Sequence, residues 1–393
     1  MNEKRKRSDR KSRLISDISR RQFLFRSAGI ASASVGIGVR AGAGDGTELR
    51  VGFVGVGERG MQLLSLALDA PAVRVVAIAD ASPQARLRAR DVVRNRHRGA
   101  EPLIAQGIER LVELAGAGKI DAVVIATPPF LHRDHATAAL RAGFHVYLEK
   151  PLGLSVDECV AVRDEAQQAA SRGQVFQIGL QRRYNPRYLA GIDMIRSGRA
   201  GQVLFVKAQW HNLGNPARRK NWFYRREKSG DIVLEQASHQ MDVFNWVFDA
   251  LPTAACGFGG INRFVGEPDG RSVRDHYGLT LDYPCGGKVN YSHLSYAIPD
   301  RRFSGVYELV FAERVGIDLW NGLAWDRSGK SIPLDAPGGS DSRFALEGFF
   351  GHIRNGERPA ADVDAGFFAT AASLLSLKAL DTGSVARWNE LIG

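Results

Sequence analysis

A chain of 393 residues with 24% charged and 44% hydrophobic side chains is too long and too evenly mixed for a disulfide-stapled miniprotein, a fibre or a disordered tail. Its formal net charge of +11 suggests a nucleic-acid partner until the charge is located: 11 of the 53 Lys and Arg lie in residues 1–43, against three of the 42 Asp and Glu. Without that segment the net charge falls to about +3, and the case for nucleic acid goes with it.

Residues 1–47 read as an address and a linker rather than part of a fold. A Lys- and Arg-dense start leads into Ser19-Arg20-Arg21-Gln22-Phe23-Leu24-Phe25, then a weakly apolar run from Ala28 to Val39 and a small-residue cleavage site at Ala41-Gly42-Ala43. Paired arginines followed by Phe-Leu match the twin-arginine signal, a receptor-read address for bacterial export. A periplasmic or otherwise exported protein is expected, with the export machinery as one partner. That run is too short to span a bilayer, and no later stretch reads as a membrane helix. Cys159, Cys256 and Cys285 are odd in number and widely spaced, so they read as buried apolar residues rather than metal ligands. A Cys256–Cys285 bridge stays open in an oxidising compartment, and no metal site is expected.

From Leu49 onward, short β-branched runs (49–57, 73–80, 120–129 and 144–151) alternate with helical spacing such as Met61, Leu64 and Leu68. Strands apolar on both faces and separated by helices predict a doubly wound parallel sheet, an α/β Rossmann domain over 48–180. Gly55-x-Gly57-x-x-Gly60 stands where the first strand ends and a helix opens, with Glu58 and Arg59 in its first turn. The glycines permit a tight turn and close approach of a pyrophosphate, and the helix N-terminus supplies amide donors. Asp80 closes the next strand, where a carboxylate accepts hydrogen bonds from an adenosine ribose and repels a 2′-phosphate. NAD is therefore expected, with NADP kept possible by Arg86, Arg88 and Arg90. Two later strand ends face the same crevice: "ATPPFLH" (126–132), offering Thr127, Pro128 and His132, and "EKP" (149–151), offering Glu149 and Lys150.

The pattern then changes. Residues 175–186 read as one more strand running into a turn that carries Arg182, Arg183 and Tyr184, and a helix follows over about 187–197. "GQVLFVKAQWHN" and the strand-like runs between about 253 and 334 have few helices between them, which predicts a mainly antiparallel sheet in an α+β domain over 181–393. Residues 341–383 read as two helices. Within this domain the segment Ser229 to Phe248 has helical spacing from about Leu234, placing Glu235 and His239 on one face with Asp242 three residues on. A carboxylate orienting an imidazole that takes a proton from an alcohol is general acid–base chemistry. Arg182 and Tyr184 are candidate substrate contacts. Trp210, Trp222 and Tyr224 are candidates to stack on a sugar ring, with one of Trp222 and Tyr224 expected rather than both.

The glycine turn, "ATPPFLH" and "EKP" together resemble the glucose–fructose oxidoreductase / inositol dehydrogenase (Gfo/Idh/MocA) family over nearly all of the chain from about Leu49. The resemblance implies that Lys150 sits beside the nicotinamide and the substrate hydroxyl. It also matches Glu235, His239 and Asp242 to an Asp-x-Gly-x-His-x-x-Asp pattern, with Glu235 in place of Asp and Ala237 in place of Gly. A large open sheet is implied, covering the crevice on one face and forming homo-oligomer contacts on the other. The implied activity is an NAD(P)-dependent oxidation of a secondary hydroxyl on a sugar, polyol or glycoside, with Lys150, His239 and Glu235 catalytic; the export signal, which leads to a compartment without free nucleotide, adds the expectation that the cofactor is recycled in its site. A glycoside hydrolase or lyase using transient C3 oxidation, and a non-catalytic sugar-binding protein, are the alternatives.

Overall fold

The computed structural model describes residues 48–392 except 98, 117–118, 215–221, 267–269 and 335. The twin-arginine motif and its cleavage site lie outside the described residues.

Six strands form the first sheet: β1 (Leu49–Val54), β2 (Val73–Ala79), β3 (Leu103–Ala105), β4 (Ala122–Ile125), β5 (His145–Leu148) and β6 (Phe176–Ile178). Their order is β3-β2-β1-β4-β5-β6 and every pair is parallel. The helices α1 (Glu58–Leu68), α2 (Pro83–Arg96), α3 (Ile108–Ala115), α4 (His132–Arg141) and α5 (Val156–Ala170) cross between them. Helices on both sides explain why β4 is buried along its whole length and reads as a continuous apolar run. Strand order reverses between β1 and β4, so the loops leaving these two strands diverge and open a crevice at their carboxyl ends.

Across the crevice, α6 (Pro186–Arg196) leads into β7 (Val203–His211), a 3₁₀ turn (Trp222–Tyr224), and three helices, α7 (Arg226–Ser229), α8 (Ile232–Glu235) and α9 (Ser238–Phe248). The strands β8 (Ala254–Gly260), β9 (His276–Asp282), β10 (Lys288–Leu294), β11 (Gly305–Ala312), β12 (Val315–Asp318), β13 (Leu323–Asp326), β14 (Ser331–Pro333) and β15 (Ala386–Arg387) complete a nine-stranded sheet with β7. Only the β7–β10 pair in it is parallel. Its inner face, with Val206, Leu279, Val289 and Tyr291, packs on Met241 and Phe244 of α9. Phe205, Phe258 and Phe311 are exposed on strands of this sheet.

The last two long helices return to the first sheet. Ala345, Leu346, Phe349 and Phe350 of α10 (Asp341–Asn355) share a core with Val51, Phe53 and Leu64. Helix α11 (Val363–Thr382) gives Phe367 and Phe368 to a first-sheet core and Ala372, Leu375 and Ala379 to the second. Contrary to the sequence expectation, α11 is long and apolar enough to cross a membrane, but 83% of its apolar window is buried in the protein. Its apolar surface runs all round because both sides are packed. Cys159 is buried as expected, whereas Cys256 and Cys285 are exposed and all three thiols are free, so the Cys256–Cys285 bridge is not formed.

Candidate active site

The three glycines after β1 have three different reasons to be glycine. Gly55 has φ +83°, and a Cβ there would lie 2.8 Å from the Thr127 backbone nitrogen; at Gly60 it would lie 1.9 Å from the Gly55 carbonyl oxygen. Both keep the turn tight against β4 and α1. A Cβ at Gly57 would meet nothing within 4 Å, and Gly57 is the N-cap of α1 with no side-chain cap. The space a Cβ would occupy is thus open at a helix N-terminus, which fits a pyrophosphate. Glu58 is exposed on the first turn of α1. Asp80 fastens to this turn: its Oδ2 accepts from Val56 N at 2.8 Å and its Oδ1 from Ser82 N at 2.8 Å. Each oxygen keeps a further lone pair for a ribose hydroxyl. Arg86 donates to the Asp80 carbonyl at 2.5 Å and Arg90 pairs with Asp91.

Three expected cofactor contacts turn inward instead. The Arg59 guanidinium pairs with Glu149 at 2.8 Å and also reaches Gln181 and Ser342, joining α1, the end of β5, the interdomain turn and α10. His132 is fully buried, with Nδ1 2.6 Å from the Pro151 carbonyl and Nε2 2.9 Å from the Thr127 carbonyl. It ties the two strand ends together and leaves neither nitrogen for a cofactor. Thr127 and Pro128 stay half-buried at the crevice, and Thr127 Oγ1 lies 3.1 Å from His135 Nδ1.

Lys150 leaves β5 and meets the second domain. Its Nζ donates to the Glu235 backbone carbonyl and lies 3.1 Å from Glu235 Oε1, with the two side chains 13% and 14% exposed. The expected helix running on from Leu234 is broken here: α8 stops at Glu235 and α9 starts at Ser238, while Ala237 N reaches back to Ile232 O. Lys150 takes the carbonyl that a continuous helix would keep for itself. The expected carboxylate–imidazole pairing is also absent, since Glu235 is committed to Lys150 and Asp242 accepts from Arg183 at 2.7–3.0 Å. His239 is buried with its Nδ1 unpartnered, and its ring centroid lies 6.3 Å from that of Trp210. Burial, then the positive charges of Lys150, Arg182 and Arg59, push its pKa well below the ordinary histidine value. It is therefore a neutral imidazole, able to accept a proton.

The candidate substrate contacts divide. Arg182 is buried, pairs with Glu308 at 2.6 Å and stacks on Tyr188, Trp210 and Trp320, so it lies behind the site rather than in it. Tyr184 packs against Gly348 and accepts from Ala361 N at 3.4 Å, in the seam with α10 and α11. Tyr224 lines a cavity of about 220 Å³ together with Trp210, Phe223 and Gln236, whereas Trp222 packs edge-on against Phe223. Asn212, Gln236 and Ser295 of the cavity wall escaped sequence reasoning. Asn212 stands just past β7, and Gln236 lies between two residues already singled out.

Two family models match this chain: the oxidoreductase family, NAD-binding Rossmann fold, over residues 49–179, and the GFO/IDH/MocA C-terminal domain over 188–310. Together they span more than half of it. A 1,5-anhydro-D-fructose reductase of Ensifer adhaerens is 26% identical over 72% of this chain and 84% of that protein. A glycosyl hydrolase family 109 protein of Shewanella amazonensis is 30% identical over 42% of this chain and 36% of that one. The chain spans less than half the length of this hydrolase relative and of an uncharacterised oxidoreductase of Synechocystis that is 34% identical, 36% and 41% respectively. Among solved structures, levoglucosan dehydrogenase in complex with NADH superposes with a TM-score of 0.73, at 18% identity over 86% of this chain and 98% of that one, a likeness of fold. With a family model on each domain and the glycine turn, Lys150 and His239 converging on one crevice, the chain belongs to the Gfo/Idh/MocA oxidoreductase family.

Proposed function

We propose that the chain is an exported NAD-dependent oxidoreductase that converts a secondary alcohol of a sugar, polyol or glycoside to a ketone. One juxtaposition supports this above all: Lys150, at a strand end of the cofactor-binding sheet, is ion-paired to Glu235 beside the neutral His239 of the other domain. When bound at the glycine turn, NAD supplies the hydride acceptor. Gly57 leaves room for the pyrophosphate, and Asp80 accepts from the ribose. His239 takes the hydroxyl proton, and Lys150 Nζ turns from the Glu235 carbonyl to donate to the same oxygen, with the Glu235 carboxylate remaining its counter-ion. Groups placed in this way contribute about 10²–10⁴-fold each to proton transfer.

The twin-arginine motif supports export of a chain folded around its cofactor. The periplasm offers no pool of free nucleotide, so the cofactor enters with the protein and, in the same site, passes its hydride on to the carbonyl of a second sugar, which is reduced as the nicotinamide is reoxidised. The exposed phenylalanines of the nine-stranded sheet support a homo-oligomer, because apolar patches on such a face mark contact surfaces. A hydrolase using transient oxidation is less favoured, since the hydrolase relative aligns over 36% of its length and the reductase over 84%. The test is to recover the protein from the periplasm, denature it and assay the supernatant for nucleotide. Close to one nucleotide per chain is expected, together with sugar-dependent reduction. An empty protein that turns over only with added NAD contradicts the recycling.

A further inference from the structure

We infer that the cavity beside His239 is a subsite for a second, uncharged ring of the substrate, which makes glycosides preferred over free monosaccharides or polyols; this rests on the oxidoreductase reading above. The cavity is walled by the end of β7 (Trp210, Asn212), the 3₁₀ turn (Phe223, Tyr224), Gln236 and Ser295. Neither Lys150 nor His239 lines it, yet it adjoins both: Gln236 follows the Glu235 that holds Lys150, and Trp210 neighbours His239. A ring whose hydroxyl meets Lys150 and His239 therefore stays outside, and what is attached to that ring enters. The cavity volume is about 220 Å³.

The wall chemistry names the class of ligand. Three aromatic side chains offer faces to the C–H surface of a ring, while two amides and a hydroxyl suit its polar edge. Among the described residues that line it none is charged. The wall is also braced from behind. The Arg271 guanidinium lies 4.3 Å from the Tyr224 ring centroid and 4.7 Å from that of Phe264. Asn212 Oδ1 accepts from Gly214 N at 2.8 Å, and its Nδ2 faces the buried His293, whose Nδ1 is 3.1 Å from the Tyr291 hydroxyl. Gln236 Oε1 is shut in without a partner, so its amide gains by turning to a ligand hydroxyl.

The experiment compares kcat/KM of the full protein on glucose, methyl glucoside, 4-nitrophenyl glucoside, a glucose disaccharide and 4-nitrophenyl glucuronide. The disaccharide and the neutral aryl glucoside are expected to exceed glucose by about tenfold, the worth of one good ring contact, and the glucuronide to show no such gain. Tyr224→Ala, and separately Gln236→Ala, should lower the ratio of glycoside to glucose kcat/KM by about tenfold, with circular dichroism confirming that each variant folds. Equal kcat/KM for glucose and its glycosides, a preference for the glucuronide, or an unchanged ratio in both variants would overturn the subsite. Oxidation of none of these sugars counts against the oxidoreductase reading instead. The subsite then stands or falls on quenching of tryptophan fluorescence by the aryl glucoside, lost in Tyr224→Ala.

Discussion

Lys150 is anchored twice by Glu235, through a backbone carbonyl and through the carboxylate, and the two anchors answer differently to mutation. Lys150→Ala should lower kcat by at least about 10²-fold with the fold intact, whereas Glu235→Gln, which keeps the carbonyl, should lose less. Steady-state rates on a responsive sugar check the order, and a larger loss in Glu235→Gln would reverse the assigned roles. Because burial and nearby cations hold His239 below the ordinary histidine range, its base form persists as pH falls through ~6.5. The acid limb of kcat/KM should therefore lie below that pH. A limb at or above it would show a different group titrating. Asp80 fastens the glycine turn and keeps lone pairs open at the proposed ribose site, so Asp80→Ala should weaken NAD binding and narrow the gap to NADP, measured by nucleotide titration. Residue positions were legible where a motif fixes backbone, as at Gly55 and Lys150. They were misread where a side chain's partner is remote in sequence: Arg59 finds Glu149, His132 finds Pro151, and Arg182 finds Glu308. Spacing along a chain carries no record of such partners.

At the scale of elements, period and composition predict the long parallel strands and the two C-terminal helices, since each buries a regular stripe or a continuous run. Strand β3, three residues long, is too short to show any period. The break between α8 and α9 was hidden for the opposite reason: Leu234, Ala237, Met241 and Phe244 keep helical spacing straight through it. At the break the Glu235 carbonyl is taken by Lys150, a contact across the crevice. His132 is the corresponding tie between the loops after β4 and β5. His132→Phe keeps a ring there but removes the single N–H that a neutral imidazole donates to one of these two carbonyls, at a cost of about 1–3 kcal/mol. Lower stability in denaturant is expected, with a fall in kcat larger than the change in NAD affinity, because Pro151 positions Lys150. Unchanged kcat in a folded variant would make the tie purely structural.

Over the whole molecule, α11 and α10 return the chain to the first sheet, so the crevice between the sheets is bounded by packing on both sides. Burial also holds three histidines neutral: His132 and His239 are pushed down, and His293 down to about 3. In the unfolded chain each takes a proton near ~6.5, so the unfolded state binds more protons below that pH. The stability they contribute is present above pH ~6.5 and is lost as pH falls below it, for His293 down to about 3, by up to ~1.4 kcal/mol per pH unit for each group. Urea midpoints at about pH 7.5 and about pH 5.5 measure this, and an unchanged midpoint would count against neutral burial. The central claim is hydride transfer from a sugar carbon to a nicotinamide held at the glycine turn. It is tested most directly in a single turnover with no acceptor sugar present, by supplying a glycoside deuterated at the oxidised carbon and analysing the nicotinamide released on denaturation. Deuterium on that ring, lost in Lys150→Ala, is the predicted result. A ketone product with no deuterium on the nicotinamide would contradict it.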